Sequence, residues 1–515
     1  MSATDRAAAD APDRARWATV VVCVSVAVIG VNTTAVSVTA LDMADELELG
    51  AVTLSWVVNA YLLTAASFAL IGGRVGDELG RSRTLAIGCG VFTLGSLTAA
   101  VAPGDTVVLV GRVLQGLAAA LVLPSGIEVL HATTPQRTAE RRSYRWRGIV
   151  YATAFGVGPL VGAALTDLVG WRAFFVLEVL VMGALTLACF PLRSASRRGR
   201  RRRTDDLLGA VLAVPLVALL VLFAERALGW GLVWWPTLVV AVAILGLGVA
   251  FVHVERRRPH PLLHLSLLHR RRLVGANVAV LAASIGMVGL LYWCNLFAQS
   301  AAVFDATALA VVVLLAPFIV SIVAYTQLAM WLGHRFGGYV PVLVGLSSSV
   351  VGFWLLSRTG PDTTEAQLLV PLAVCGLGAG VANAGLVGAA VLDLPPGRLD
   401  EAAGITTLAR FAGSALAIAI GSASFLAVAP GVEVAQAAQA VDAEQVALGG
   451  RSLDRSLAKV DAALVQRLLA TVRADAAEVF ARTMRVAAVV VLVLLVLATW
   501  LLRAGGPPPA RGSST

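Results

Sequence analysis

From Ala18 to Leu41 the chain runs through 24 residues without one charged side chain. As a helix that stretch is about 36 Å long, enough to cross the roughly 30 Å hydrocarbon layer of a bilayer. Comparable stretches recur along most of the chain. A soluble fold could not hide so much apolar surface, since even large domains leave much of their surface facing water. Of 515 residues, 58% are hydrophobic and 14% charged, against a charged share of about 25% in soluble domains. Strands of a membrane barrel would be about ten residues long and alternate in polarity; no segment here does so. The sequence predicts an all-α membrane protein.

Fourteen spans are expected. An N-terminal tail (1–17) leads into six spans within 18–192. A basic loop and two inserted helices fill 193–272. Six more spans lie in 273–503, with a long segment, 429–484, ahead of the last one at 485–503, and 504–515 form a C-terminal tail. The first apolar stretch exceeds a signal-peptide core and no clean cleavage site follows it, so it reads as a retained span. The even count, as six spans, two extra and six more, fits a parallel repeat of the kind found in transporters.

Arginine sets the expected orientation. With the N-terminus in the cytoplasm, 28 arginines fall on that side, and the six short loops opposite carry only Arg172, Arg226 and Arg358. Segment 429–484 carries six basic residues, but long translocated segments are largely exempt from this bias. Both termini are expected in the cytoplasm. The run Arg193–Arg203 holds seven arginines in eleven residues. Such a run can bind nucleic acid, but at a span end it reads as an orientation anchor touching anionic lipid, so no nucleic-acid partner is expected.

Of the 40 basic residues only Lys459 is a lysine, and Val460 follows it. A phosphate-binding loop needs Lys followed by Ser or Thr, so the chain has no such nucleotide site. Cys23, Cys89, Cys189, Cys294 and Cys375 stand far apart in apolar stretches, which argues against a disulfide framework or a metal site. Gly376-Leu377-Gly378-Ala379-Gly380 lacks the preceding strand of a dinucleotide loop and reads as a helix-packing face.

Three motifs carry a resemblance. Gly73-Arg74-Val75-Gly76-Asp77-Glu78-Leu79-Gly80-Arg81-Ser82-Arg83 joins spans two and three. Arg112-Val113-Leu114-Gln115-Gly116 lies in span four, with Pro124 beyond it. Gly156-Val157-Gly158-Pro159-Leu160-Val161-Gly162 lies in span five. An arginine inside hydrocarbon must face the protein interior with a partner or snorkel outward. Small residues at helical spacing let helices approach, and proline bends them. Together the motifs resemble those of the major facilitator superfamily, in particular its fourteen-span drug:proton antiporters.

The resemblance implies two six-helix bundles around a cavity, with two helices inserted between them. It implies that Asp77 and Arg81 gate the interconversion of states, that Arg112 and Gln115 serve proton coupling, and that Gly158 and Pro159 form an antiport hinge. It implies no enzyme activity, no metal and no cofactor beyond the coupling proton. It places the chain in a bacterial cytoplasmic membrane, as a monomer whose partners are lipid and a small amphipathic substrate.

The sequence also departs from that family. The usual span-one aspartate is Asn32, and the span-six asparagine is Glu178. Asparagine cannot carry the proton. Glu178 and Glu128 are therefore candidate proton carriers, because membrane carboxyls can take up and release protons. Glu128 also reads as an interfacial partner of an arginine. A polyspecific site should be apolar and aromatic with few polar anchors; Asn32, Asn59, Tyr61, Tyr151, Phe155, Tyr292, Trp293, Asn295 and Asn383 are the candidates. Trp17, Trp171, Trp234, Trp235 and Trp500 sit at span ends as expected interface anchors. The expected function is export of a drug or antibiotic by proton antiport. The alternatives are a facilitator or exporter not coupled to protons, and a membrane sensor with 429–484 as its ligand segment.

Overall fold

The computed structural model describes residues 11–133, 137–195, 207–230, 235–258, 264–300, 303–337, 339–380, 399–426 and 462–503, and no strand occurs among them. The first half holds α1 (Ala11–Leu47), α2 (Ala51–Leu79), α3 (Arg81–Ala100), α4 (Asp105–Thr133), α5 (Arg137–Leu168) and α6 (Arg172–Ala188). Helices α7 (Leu207–Trp230) and α8 (Trp235–Arg257) follow as a pair. The second half holds α9 (Arg271–Ser284), a π-helical turn (Ile285–Gly289), α10 (Leu290–Gln299), α11 (Ala308–Leu314), α12 (Ala316–Phe336), α13 (Tyr339–Leu356), α14 (Glu365–Ala379), α15 (Leu399–Leu426) and α16 (Ala462–Arg503).

Among the described residues, eleven helices are long and apolar enough to cross a membrane. Shorter apolar helices, Thr153–Leu168, Val211–Leu220 and Glu365–Ala379, stand at three further expected spans. Helices also run past the apolar stretches that define them. Helix α5 begins at Arg137 rather than near 148, because its arginine-rich entry is made of good helix formers. Helix α16 is continuous from Ala462, so the end of segment 429–484 belongs to the last helix rather than to a separate loop. It is held there by packing, with the Phe480 ring stacked 4.5 Å from Phe297. Trp171 departs from its expected place at the lipid surface. It is 2% exposed, donates from Nε1 to Glu46 at 2.6 Å and meets Phe175 edge to face.

Within the first half α1 packs along α5, α4 on α2 and α3, and α3 on α6. Within the second, α13 packs on α14 and α16, and α9 on α15 and α16. The halves meet where α2 lies on α15, α1 on α10, and α5 on α11 and α12, while α7 rests on both α2 and α15. Glycines set the closest approaches. A methyl group at Gly158 would overlap Thr34 Oγ1 and lie 2.8 Å from the Val31 carbonyl oxygen, so the α1–α5 contact leaves no room for a side chain. Gly158→Val is expected to destabilise the chain by about 1–3 kcal/mol through overpacking, read as a lowered unfolding temperature in detergent.

The same approaches recur in the two halves. A methyl group at Gly116 of α4 would lie 2.5 Å from the Tyr61 carbonyl oxygen of α2, and one at Gly95 of α3 would lie 2.9 Å from the Gln115 nitrogen. In the second half Gly376 of α14 crowds the Phe318 carbonyl of α12, and a methyl group at Gly352 of α13 would lie 2.8 Å from the Cys375 nitrogen. Gln115-Gly116 and Cys375-Gly376 thus occupy corresponding places. The glycines of 376–380 serve helix packing.

Candidate functional site

The span-one helix carries an internal polar stripe. Asn32, Thr33, Thr34, Ser37 and Thr39 are all buried. The threonines bond partly to their own helix, as Thr33 Oγ1 does to the Ile29 carbonyl at 2.7 Å, which lets them sit in an apolar span. Asn32 has no such local partner. It reaches α4 and α6 instead.

Arg112 and Gln115 lie three residues apart on α4 and so share a face. Arg112 stands about 10 Å along the helix from its start at Asp105, taking 1.5 Å per residue. It is 0% exposed and is hydrogen-bonded through Nε and Nη1. Its Nε donates to the Val57 carbonyl of α2 at 2.7 Å. Its Nη1 donates to Asn32 Oδ1 at 2.9 Å and to Gln115 Oε1 at 2.6 Å. The guanidinium carbon lies 4.6 Å above the centre of the Tyr61 ring, a cation–π contact.

Glu178 of α6 is 3% exposed. Asn32 Nδ2 donates to its Oε1 at 2.8 Å. Gln115 Nε2 and Ser96 Oγ donate to its Oε2 at 2.9 Å and 3.0 Å. Gln115 Nε2 also reaches Ser96 Oγ at 2.8 Å. Each oxygen of the Glu178 carboxyl group thus has a hydrogen-bond partner from another helix. The buried cation and the buried acid are thus joined through two neutral amides, each receiving from Arg112 on its oxygen and giving to Glu178 from its nitrogen. Hydrogen bonds to charged groups contribute about 1.5–3 kcal/mol each.

The structure brings Asn32, Arg112, Gln115 and Glu178 into one cluster and adds Ser96, which the sequence reading missed. Tyr61, read as a substrate contact, lies under Arg112 with its hydroxyl 3.0 Å from Thr33 Oγ1. The second half has no such cluster at the corresponding places. Counting from the matched glycines, Phe353 stands for Ser96, Leu372 for Arg112 and Cys375 for Gln115, all buried.

The other candidates are spread out. Asn295 bridges the halves by donating to the Ser37 carbonyl at 2.7 Å, and Gln299 reinforces it by donating to Val38. Tyr292 and Trp293 are buried in the second half, with Trp293 edge to face with Phe353 one turn beyond the π-helical segment. Phe155 and Asn59 are buried in the first half. Arg81 opens α3 just after Gly80, whose φ of 93° is a conformation that favours glycine. Pro159 lies inside α5 beside Gly158. Asp77, Glu128 and Tyr151 lie on described helices with side chains outside the described set, and Asn383 lies outside the described residues.

A family model for the Major Facilitator Superfamily matches residues 20–418. The chain belongs to this superfamily. It is therefore a multi-pass membrane protein of a transporter family. Over 424 residues it is 30% identical to a puromycin resistance protein of Streptomyces alboniger, covering 81% of this chain and 83% of that one. Over 409 residues it is 26% identical to a tetracenomycin C resistance and export protein of Streptomyces glaucescens, covering 78% of this chain and 75% of that one. Among solved structures, a bacterial homolog of the human lysosomal transporter Spinster shares the superfamily fold, with a TM-score of 0.62 at 13% identity over 96% of this chain and 98% of that one.

Proposed function

We propose that the chain exports an amphipathic antibiotic or similar organic compound by proton antiport and alternating access, with Glu178 as the proton carrier. The observation that carries this reading is the buried cluster in which Glu178, Asn32, Gln115 and Arg112 share hydrogen bonds. An isolated asparagine in span one would favour an uncoupled facilitator. A carboxylate 2.8 Å from that asparagine supplies the acid the facilitator reading lacks.

With the termini in the cytoplasm, as the arginine bias favours, the cluster lies in the outer half of the membrane. A proton would arrive from outside, where the membrane potential favours its entry by about 2.3 kcal/mol per charge per 100 mV. Neutralising Glu178 changes the balance between two conformations, and substrate release outside with proton release inside completes the cycle. The antibiotic-resistance relatives favour an antibiotic as cargo.

The test is uphill accumulation of puromycin and of tetracenomycin C in everted vesicles under an imposed proton gradient. Accumulation that collapses on adding an uncoupler is the expected result. Accumulation that persists with the uncoupler present rejects antiport, and loss of every substrate flux rejects the exporter reading for these compounds.

A further inference from the structure

The polar cluster lies wholly in the first half, yet antiport requires its protonation to be felt where the halves separate. One aromatic contact leads there. Tyr61 lies beneath Arg112, and its ring meets Phe411 of α15 edge to face, with centroids 5.8 Å apart and planes at 88°. Both residues are fully buried. Helix α2 carries the first ring and α15 the second, so this contact crosses between the halves.

We infer that Tyr61 and Phe411 are positioning residues that transmit the protonation state of Glu178 to the α2–α15 seam; the inference rests on the reading of Glu178 above. The geometry gives the steps. A proton on Oε1 turns that oxygen into a donor, facing the donor nitrogen of Asn32. The clash is relieved when the Asn32 amide turns and offers Oδ1 to Glu178. That same oxygen is the acceptor of Arg112 Nη1, so the guanidinium loses one anchor. It keeps Val57 and Gln115 and re-seats over the Tyr61 ring. The Tyr61 ring is fully buried, and the Tyr61 backbone is pressed against Gly116 of α4. The ring therefore has little freedom to absorb the change locally, and its edge-to-face partner on α15 receives it. The charged and titratable groups involved are Glu178 on α6, Arg112 on α4 and Tyr61 on α2.

The reporter of seam opening needs no substrate. Leu79 at the end of α2 and Leu268 beside the start of α9 are both 48% exposed, and the five native cysteines are buried. Spin labels on Leu79→Cys and Leu268→Cys, with the full chain in lipid nanodiscs, read the distance between the halves across about pH 5 to about pH 9. The unaltered network and Tyr61→Phe are expected to exchange between two distances as pH changes, and Glu178→Gln to lose that response. Tyr61→Leu and Phe411→Leu are expected to sample both distances with the pH-driven change in their ratio reduced at least about tenfold.

Leucine variants that respond to pH as the parent does overturn the inference and leave Glu178 in place as proton carrier. Leucine variants that no longer sample both distances have a structural role only, which overturns it as well. A parent that shows no response, or a Glu178→Gln variant that keeps it, removes the proton-carrier reading itself.

Discussion

Arg112→Met is expected to destabilise the chain by about 3–5 kcal/mol, the range for breaking a buried charge pair by removing one partner. The expected loss has two parts. Methionine has no donors, so Asn32 Oδ1 and Gln115 Oε1 each lose the hydrogen bond they accept from the guanidinium. Glu178 then remains as a buried carboxylate without its compensating cation, held only by the donors Asn32, Gln115 and Ser96. Glu178→Gln added to Arg112→Met removes that second part. The double variant is therefore expected to be more stable than Arg112→Met alone. Unfolding midpoints in detergent for the parent, the two single variants and the double variant measure the coupling directly. A double variant that loses the sum of the two single losses would show that Arg112 and Glu178 do not act as a pair, and the two-amide connection would carry no energy.

The second half shows what such a place looks like without charge. Phe353, Leu372 and Cys375 fill the positions that Ser96, Arg112 and Gln115 hold in the first half, and they pack without hydrogen bonds to one another. Burying an ion pair is no easier than burying apolar side chains of similar size, and replacing such a pair by them is often neutral or stabilising. The superfamily fold thus stands on the apolar version in one half. We take retention of the charged version in the other half as the mark of a task other than stability.

How far the sequence shows this depends on the kind of contact. The helical spans are legible because their cause is local: long uncharged runs can only be helices in lipid. The motifs around Arg112 and Gly158 are legible because glycine, proline and membrane arginine have few uses. Pairing between helices is not local. Asn32 and Glu178 read as two separate departures from the family pattern, 146 residues apart, and only the packing of the helices brings their side chains to 2.8 Å. Ser96 carries no signal of its own. It becomes visible once Gly95 is seen to seat α3 against Gln115. Trp171 has the right chemistry for an interface anchor and is buried instead, while Tyr61, with the chemistry for a cavity wall, lies under Arg112. In each case the partners that hold them lie on another helix, Thr33 for Tyr61 and Glu46 for Trp171.

Moving the carboxylate from α6 to α1 is expected to restore what Glu178→Gln removes. Glu178→Gln leaves the cluster without a proton carrier, because glutamine cannot take up the proton, and proton-driven accumulation should fall to the level seen with an uncoupler present. Asn32→Asp alone puts two carboxyl groups in contact, and both cannot carry charge there. Asn32→Asp combined with Glu178→Gln returns the cluster to one acid and one amide between the same neighbours. The new aspartate faces Arg112 directly, where Asn32 Oδ1 now accepts at 2.9 Å. The glutamine keeps a carbonyl oxygen for Ser96 and Gln115. Gradient-driven accumulation of puromycin in vesicles should return to within about tenfold of the parent, a difference of ~1.4 kcal/mol. The acid then stands on the helix where the resemblance to drug:proton antiporters places it, so the exchange also asks whether the chain has relocated an existing proton site. If the double variant stays as inactive as Glu178→Gln, position 178 itself matters, and the carboxylate must act from α6 through contacts that α1 cannot supply.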